Sequence, residues 1–275
     1  MNKIGFIGAG NLAHSMITGL TRFNSTFNVY VYDIQKEKAD NLAVKFNAKS
    51  CSFTEVILNS EVLILAVKPK DIIELLKKLS ALTLDEKLVI TVAAGISLPV
   101  YESLLPRTAI VRAMPNTSSA VLKSMTALVR GKYVTDQQMK VADNIFSCLG
   151  KVLWVEDSKM NAVTAVSGSG PAYFYLLTEL MAKTGVKLGL SEEEASFLAR
   201  ETLIGVGNML VEDKRTVKEL REAVTSPNGT TYAAISVFLE EGLDNIVFEA
   251  LEAAAKRAQE MEGEFSGGYL KKGSN

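Results

Sequence analysis

The run from Lys3 to Asp33 narrows the choice of fold more than any other part of the chain. A strand-like Lys3-Ile4-Gly5-Phe6-Ile7 leads straight into Gly8-Ala9-Gly10-Asn11-Leu12-Ala13 and a helical pattern, and a second strand-like run, 28–32, ends at Asp33. In such a βα turn the first glycine makes the bend, the second lets a diphosphate approach the backbone, and a small third residue lets helix pack on strand. The helix start then offers unpaired N–H groups and its dipole to phosphate, and an acid about 20 residues on accepts the ribose hydroxyls of an adenosine. The bland alternative is a purely structural turn. A carboxylate at position 33 repels a 2′-phosphate and so favours NADH, while Lys36 and Lys38 read as the solvated face of the next helix.

The surrounding pattern agrees. Short β-branched runs at 3–7, 28–32, 62–66, 87–92 and 109–114 alternate with helical stretches, as in βαβ units of a parallel sheet. The run 62–66 is apolar throughout, which suits a sheet covered on both faces. Two more strands are expected at 126–130 and 151–155, flanking a helix over 136–148. Beyond residue 157 the pattern turns entirely helical. Pro171 suits a first helical position, and Ser191 with Glu194 and Thr216 with Glu219 match capping boxes. The acidic run Glu192-Glu193-Glu194 then fits a first helical turn. The expected division is an α/β dinucleotide-binding domain over 1–157, an all-α domain over 158–266, and a disordered tail over 267–275. The stretch 171–181 is apolar on most sides, which predicts a buried helix covered in part by a second subunit.

Composition removes whole classes of function. The 275 residues carry 30 Lys+Arg against 31 Asp+Glu, with no basic block, so nucleic acid is not an expected partner. Cys51 and Cys148 lie far apart with no ligand-spaced neighbour, which argues against a disulfide framework or a metal site and suits a reducing, cytoplasmic compartment. The longest dense apolar run, 62–67, falls far short of the roughly 20 residues that span a bilayer, so no membrane association is expected. The single histidine, His14, leaves hydrolytic triads without a base, and it reads as a helix residue with no catalytic task. Cys148 and Trp154 read as packing residues.

Three further turns lie where ligands gather, beyond the carboxyl ends of strands: Ala66-Val67-Lys68-Pro69, Ala93-Ala94-Gly95, and Met114-Pro115-Asn116-Thr117. Pro69 reads equally well as plain helix initiation. In the helical half, Thr225-Ser226-Pro227-Asn228-Gly229-Thr230-Thr231 predicts a type I turn running into a helix capped by Ser or Thr. It is either a capped connection or a carboxylate-binding helix start.

Taken together, Gly8-Ala9-Gly10-Asn11, Ala66-Val67-Lys68-Pro69, Ala93-Ala94-Gly95, Met114-Pro115-Asn116-Thr117, Ser167-Gly168-Ser169-Gly170-Pro171-Ala172 and 225–231 occur in the order found in the 1-pyrroline-5-carboxylate reductase family, which the chain resembles over nearly its whole length. The resemblance implies a Rossmann domain followed by a helical dimerisation domain, a homodimer building block, and dimers assembled into a decamer. It implies NAD(P)H as cofactor, held by Gly8, Gly10, Asn11, Leu12, Asp33, Ala66, Val67, Lys68, Pro69, Ala94, Gly95, Met114, Pro115 and Asn116. It also implies a small-molecule substrate, a cyclic imine carboxylate, held by Ser226, Asn228, Gly229, Thr230 and Thr231, with Thr231 the catalytic hydrogen-bonding group. The loop would meet the nicotinamide across a subunit interface. The chain departs from the family pattern at several places. Phe53 stands where asparagine is common and Asp33 where small or basic residues are usual in NADPH users. Ser118 replaces a proline, Ser124 a glycine, and Asn228 the first of a glycine pair.

Two alternatives stay open: a reductase of another cyclic imine carboxylate, and a non-catalytic nucleotide-sensing relative. A two-domain hydroxyacid dehydrogenase is disfavoured, because Phe174 and Thr178 stand where that family needs lysine and asparagine.

Overall fold

The computed structural model describes residues 1–23 and 27–266, so the expected tail over 267–275 lies outside the described residues. Two compact units divide the chain, one formed by Met1–Ser169 with the chain from Ala254 onward, the other by Gly170–Ala253.

The first unit is built on an eight-stranded sheet. Its strands are β1 (Lys3–Ile7), β2 (Asn28–Tyr32), β3 (Lys49–Ser50), β4 (Val62–Leu65), β5 (Leu88–Thr91), β6 (Ala109–Met114), β7 (Ser124–Arg130) and β8 (Gly150–Trp154), in the spatial order β3-β2-β1-β4-β5-β6-β7-β8. The first six form the doubly wound dinucleotide-binding order, with the topological switch between β1 and β4. Pairing is parallel as far as β6, and the direction reverses at β7, which pairs antiparallel with β6 while β8 runs parallel to β7.

Alternation along the strands sends side chains to two apolar layers. Ile4, Phe6, Val62 and Ile64 join Met16, Ile17 and Leu20 of α1 (Asn11–Phe23) and Phe146 of α6 (Asp136–Ser147) on one face. Ile7, Leu63 and Leu65 face the other way, onto Val56 and Ile57 of α3 (Phe53–Asn59), Ile72 and Leu76 of α4 (Pro69–Ser80), and Tyr101 of α5 (Leu98–Leu104). Helix α2 (Lys36–Phe46) contributes Ala39 and Leu42 to the first layer. Both faces are covered, as the unbroken apolar run at β4 predicts.

Two elements escape the sequence reading. Strand β3 has two residues, too few for a period to show. Helix α3 is short, but Ser52 and Glu55 form a full capping box at its start, a legible signal.

After β8 come a single helical turn, α7 (Met160–Val163), and a π turn over Thr164–Gly168, closed by Ser169 N–H donating to the Thr164 carbonyl at 2.8 Å. The helical unit follows, with α8 (Gly170–Lys187), α9 (Glu192–Glu212), α10 (Val217–Ala223), α11 (Thr230–Glu240) and the beginning of α12 (Leu243–Ser266). Pro171 sits second in α8 rather than first, still within the turn whose N–H groups lack intrahelical partners. The capping boxes at Ser191–Glu194 and Thr216–Glu219 form as expected.

Among the described residues of this one chain the apolar face of α8 is uncovered, with Phe174 60% exposed and Leu177 47%, so the expected burial of that face would have to come from a second subunit. The C-terminal end of α12 belongs to the first unit. There the buried Arg112 of β6 bonds Asp157 at 2.7 Å and Glu262 at 2.8 Å, and Asn161 also donates to Glu262.

Candidate active site

The dinucleotide cradle starts at Gly8, immediately after β1. Its φ of 107° is one that side-chain-bearing residues avoid, and a Cβ there would lie 2.5 Å from the carbonyl oxygen of Ala66. Glycine is therefore demanded by the close passage of the turns after β1 and β4, the two strands of the switch. Gly10 is the opposite case. A Cβ there would meet nothing within 4 Å, so its open side is space left beside the start of α1. The first amides of that helix have no intrahelical acceptor, and their dipole favours an anion. An open glycine at a helix start is a cradle that fits a diphosphate, so the residues present suit a dinucleotide.

Asp33 follows β2. Its Oδ2 accepts from Ala9 N–H at 2.8 Å and its Oδ1 from Gln35 N–H at 2.8 Å, which locks the carboxylate against the glycine-rich turn. A cavity of ≈ 400 Å³ lies beside it, lined among others by Gly8, Tyr32, Asp33, Phe53 and Val67. A second cavity, of ≈ 370 Å³, brings Asn11 and Leu12 of α1 together with Pro115 and Asn116 after β6. The two cavities thus gather seven of the residues expected to hold cofactor: Gly8, Asp33, Val67, Asn11, Leu12, Pro115 and Asn116.

The remaining residues of that set line neither cavity. Lys68 is exposed at the N-cap of α4 and Pro69 opens that helix, so helix initiation is what this pair visibly does. Gly95, at φ 71°, is buried beneath α12, where its Cβ would come 3.1 Å from Met261 Cβ. Met114 packs under Gly168, whose Cβ would lie 2.6 Å from Met114 Cε. Ala66 and Ala94 are half-buried.

Asn116 is the best-anchored side chain of the second cavity. Its Oδ1 accepts from Ser118 N–H and from the Ser124 hydroxyl, both at 3.2 Å, and its Nδ2 donates to the Ser167 carbonyl at 3.3 Å. A backbone N–H on one side and a carbonyl on the other fix which way the amide points. A proline at 118 would have no N–H to give and a glycine at 124 no hydroxyl, so both bonds depend on serine at these positions, and the two converge on one atom.

In the helical unit, Ser226 to Gly229 forms a tight turn in which Gly229 N–H donates to the Ser226 carbonyl at 3.0 Å. Asn228, its third residue, has φ 58°, the mark of a type II turn, so the type I expectation is corrected. Proline second in the turn suits either type, and asparagine at the third place tolerates the left-handed region. The expected Ser or Thr cap is also absent: Gly229 is the N-cap of α11, with no side-chain cap. A Cβ at 229 would run into the Ser226 hydroxyl, which folds over it. Thr230 and Thr231 open the helix, Thr230 exposed and Thr231 half-buried, with first-turn N–H groups lacking intrahelical acceptors.

Comparison with known proteins decides the family. A pyrroline-5-carboxylate reductase from Bacillus subtilis (strain 168), designated 1, is 37% identical over 264 residues, covering 94% of this chain and 89% of its own. The chain belongs to the pyrroline-5-carboxylate reductase family. The family profile for pyrroline-5-carboxylate reductase dimerisation matches residues 157–261, and a profile for NADP oxidoreductases, coenzyme F420-dependent, matches residues 3–95. Among solved structures, a pyrroline-5-carboxylate reductase from Coxiella burnetii superposes with a TM-score of 0.89 at 36% identity, covering 94% of this chain and 97% of that one. A pyrroline carboxylate reductase from Plasmodium falciparum, solved with NADP bound, gives 0.82 at 26% identity, covering 94% and 98%.

Asp71 and Glu74 of α4, which also line the first cavity, went unremarked in the sequence. They sit in the first and second turns of a helix that Pro69 opens, so helical spacing after that proline was the available signal. Thr117 of the second cavity was flagged with the turn after β6, whereas Ser15 and Ser119 carried no signal, being small polar residues of a kind found on any helix or turn.

Proposed function

We propose that this chain reduces the C=N bond of 1-pyrroline-5-carboxylate to give L-proline, the last step of proline biosynthesis, using NAD(P)H. The observation that carries the reading is the turn at 226–229, closed by Gly229 N–H on the Ser226 carbonyl, which presents the unpaired first amides of α11 as a carboxylate-sized donor set in a chain of this family.

Gly8, Gly10, Asn11 and Leu12 would hold the diphosphate, Asp33 the adenosine ribose, and Ala66 to Pro69, Ala94, Gly95 and Met114 to Asn116 the nicotinamide half. A bound reduced nicotinamide supplies two electrons and one hydrogen to the imine carbon. The first amides of α11 at Thr230 and Thr231, with the Ser226 hydroxyl and the turn that Asn228 and Gly229 shape, hold the substrate carboxylate and so set the ring's position. The Thr231 hydroxyl bonds the ring nitrogen, accepting from it when it is protonated or relaying a proton to it from water. The balance is one C=N π bond lost, one C–H and one N–H bond gained. Because a protonated imine is already electrophilic, orientation meets much of the barrier and no dedicated acid is needed. That agrees with a chain whose sole histidine lies on α1 beside Lys45 and Phe46.

The assembly is part of this reading. The uncovered apolar face of α8 and the match to a dimerisation profile support a homo-oligomer, with a dimer as its unit and a decamer as the larger form. Two unpaired thiols support a cytoplasmic location, and among the described residues no helix is long and apolar enough to cross a membrane.

The test follows absorbance of reduced nicotinamide when pyrroline-5-carboxylate is added to purified protein, with L-proline assayed in the same vessel. Oxidation matched by proline is expected. Cofactor binding without oxidation overturns the assignment.

A further inference from the structure

We infer that this chain selects NADH over NADPH, and that Asp33, Asp71 and Glu74 together set the choice; the inference rests on the cofactor reading just given. NADP differs from NAD by a phosphate on the 2′-oxygen of the adenosine ribose, a group carrying about −1.5 to −2 charges at neutral pH. Its acceptance requires a cation or a set of donors close to the end of β2.

This structure supplies the reverse. Both oxygens of the Asp33 carboxylate are held by backbone N–H groups, Ala9 at 2.8 Å and Gln35 at 2.8 Å, so the side chain is tied in place and cannot swing aside for an anion. An ionised carboxylate has about four lone-pair sites, so two remain for ribose hydroxyls, which are donors. A phosphate has no proton to give it. The cavity beside Asp33 is lined by two more carboxylates, Asp71 and Glu74. Among the described residues lining it, Lys78 is the one cation, and its ammonium is already bonded to Glu74 at 2.8 Å. The net charge around the cavity is therefore −2, from three carboxylates and one ammonium.

The position that would face a 2′-substituent, directly after Asp33, is Ile34, 87% exposed and without a charge. In this fold a nearby arginine is the usual means of accommodating the 2′-phosphate. Here an aliphatic side chain takes that place. Lys36 and Lys38 belong to α2 and are not among the cavity's lining residues.

The test is equilibrium binding, read by titration calorimetry on the full-length protein with NADH and NADPH in separate runs. NADH should bind at least ~10-fold more tightly at 0.1 M salt, equivalent to about 1.4 kcal/mol. The gap should narrow at 1 M salt, as the screening length falls from about 10 Å to about 3 Å. Asp33→Asn should bring the two affinities together. Asp71→Asn with Glu74→Gln, at two exposed positions of α4 outside its buried Ile72–Leu76–Leu79 face, should improve NADPH binding ~3-fold more than NADH binding through charge removal alone. Equal affinities in the unmodified protein, or a ratio that neither variant moves, overturn the selection. Failure of both dinucleotides to bind overturns the cofactor reading as well, so the two failures are told apart.

Discussion

In the first unit Phe6, Leu63, Ile64 and Tyr101 are fully buried, whereas in the helical unit Phe174 is 60% exposed, Leu198 52% and Phe238 44%. Both regions are built from similarly apolar side chains, and burying each fully is worth about 1.5–3 kcal/mol. The first unit collects that free energy within one chain, because a sheet with helices on both faces makes three layers. The second has helices without a facing layer, and its buried residues are as small as Ala195 and Ala199. Among the described residues one region is complete as a fold, and the other leaves large apolar side chains such as Phe174 and Leu198 uncovered.

The sharpest way to break that contrast is to truncate matched phenylalanines. Phe6→Ala should cost ~3–5 kcal/mol, the cost of an aromatic removed from a packed core, at any protein concentration. Phe174→Ala should cost stability that grows as the protein is concentrated, since only an assembly covers that side chain. Denaturant unfolding at two concentrations separates the outcomes. A Phe174→Ala loss below ~0.5 kcal/mol at both would make that face an ordinary surface.

Next in size is Arg112, 3% exposed and bonded to both Asp157 and Glu262. Arg112→Ala leaves two carboxylates facing each other without their cation, and ~3 kcal/mol of stability should go with it. Arg112→Met should recover part of that loss, because it keeps the volume. A measured cost under ~1 kcal/mol for Arg112→Ala would mean that the end of α12 is held by packing alone.

The chemistry falls across the same divide. Thr231→Ala should lower turnover at least ~10-fold while leaving unfolding of the first unit unchanged, and Thr231→Ser should restore most of it, as expected for one positioned hydroxyl. Unchanged turnover in Thr231→Ala removes the role. In the first unit, Ser124→Ala should cost ~1 kcal/mol, the worth of a hydrogen bond to Asn116, and should raise KM for the cofactor without altering assembly.

How much of this was legible divides the same way. Strands β1, β2 and β6 fall at the residues where the apolar runs predict them, and the boxes at Ser191 and Thr216 form as their side chains demand. These features are local, so local chemistry reveals them. The type of the 226–229 turn was not, because proline at its second place permits two backbone paths and the choice rests on φ at Asn228. Nor was the meeting of Ser118 and Ser124 on Asn116, which needs the chain folded before two serines six residues apart share an atom. The uncovered face of α8 was legible as well: a helix apolar on most sides in a unit of this size points to a cover from a second subunit, and among the described residues nothing covers Phe174 or Leu177.

The smallest effect concerns the single histidine, which lies in the complete unit. Lys45 Nζ stands 2.8 Å from His14 Nε2, and the His14 ring packs edge-on against Phe46. Burial first, and the Lys45 ammonium second, hold the imidazole pKa below its ordinary 6.5. The folded state therefore favours the neutral ring. Its contribution to stability is present above pH 6.5 and is lost as the pH falls through and below that value, where the unfolded chain takes up the proton first. Because the chain holds one histidine, its imidazole proton resonance is unambiguous in an NMR titration. The midpoint should lie below 6.5, and Lys45→Gln should raise it. The same resonance then probes the comparison directly. Phe174→Lys should dissociate the assembly, seen by sedimentation, and leave the His14 midpoint where it was, since α1 and α2 draw their packing from their own unit. A midpoint that moves with dissociation would mean that the first unit also leans on the assembly, and its completeness would have to be given up.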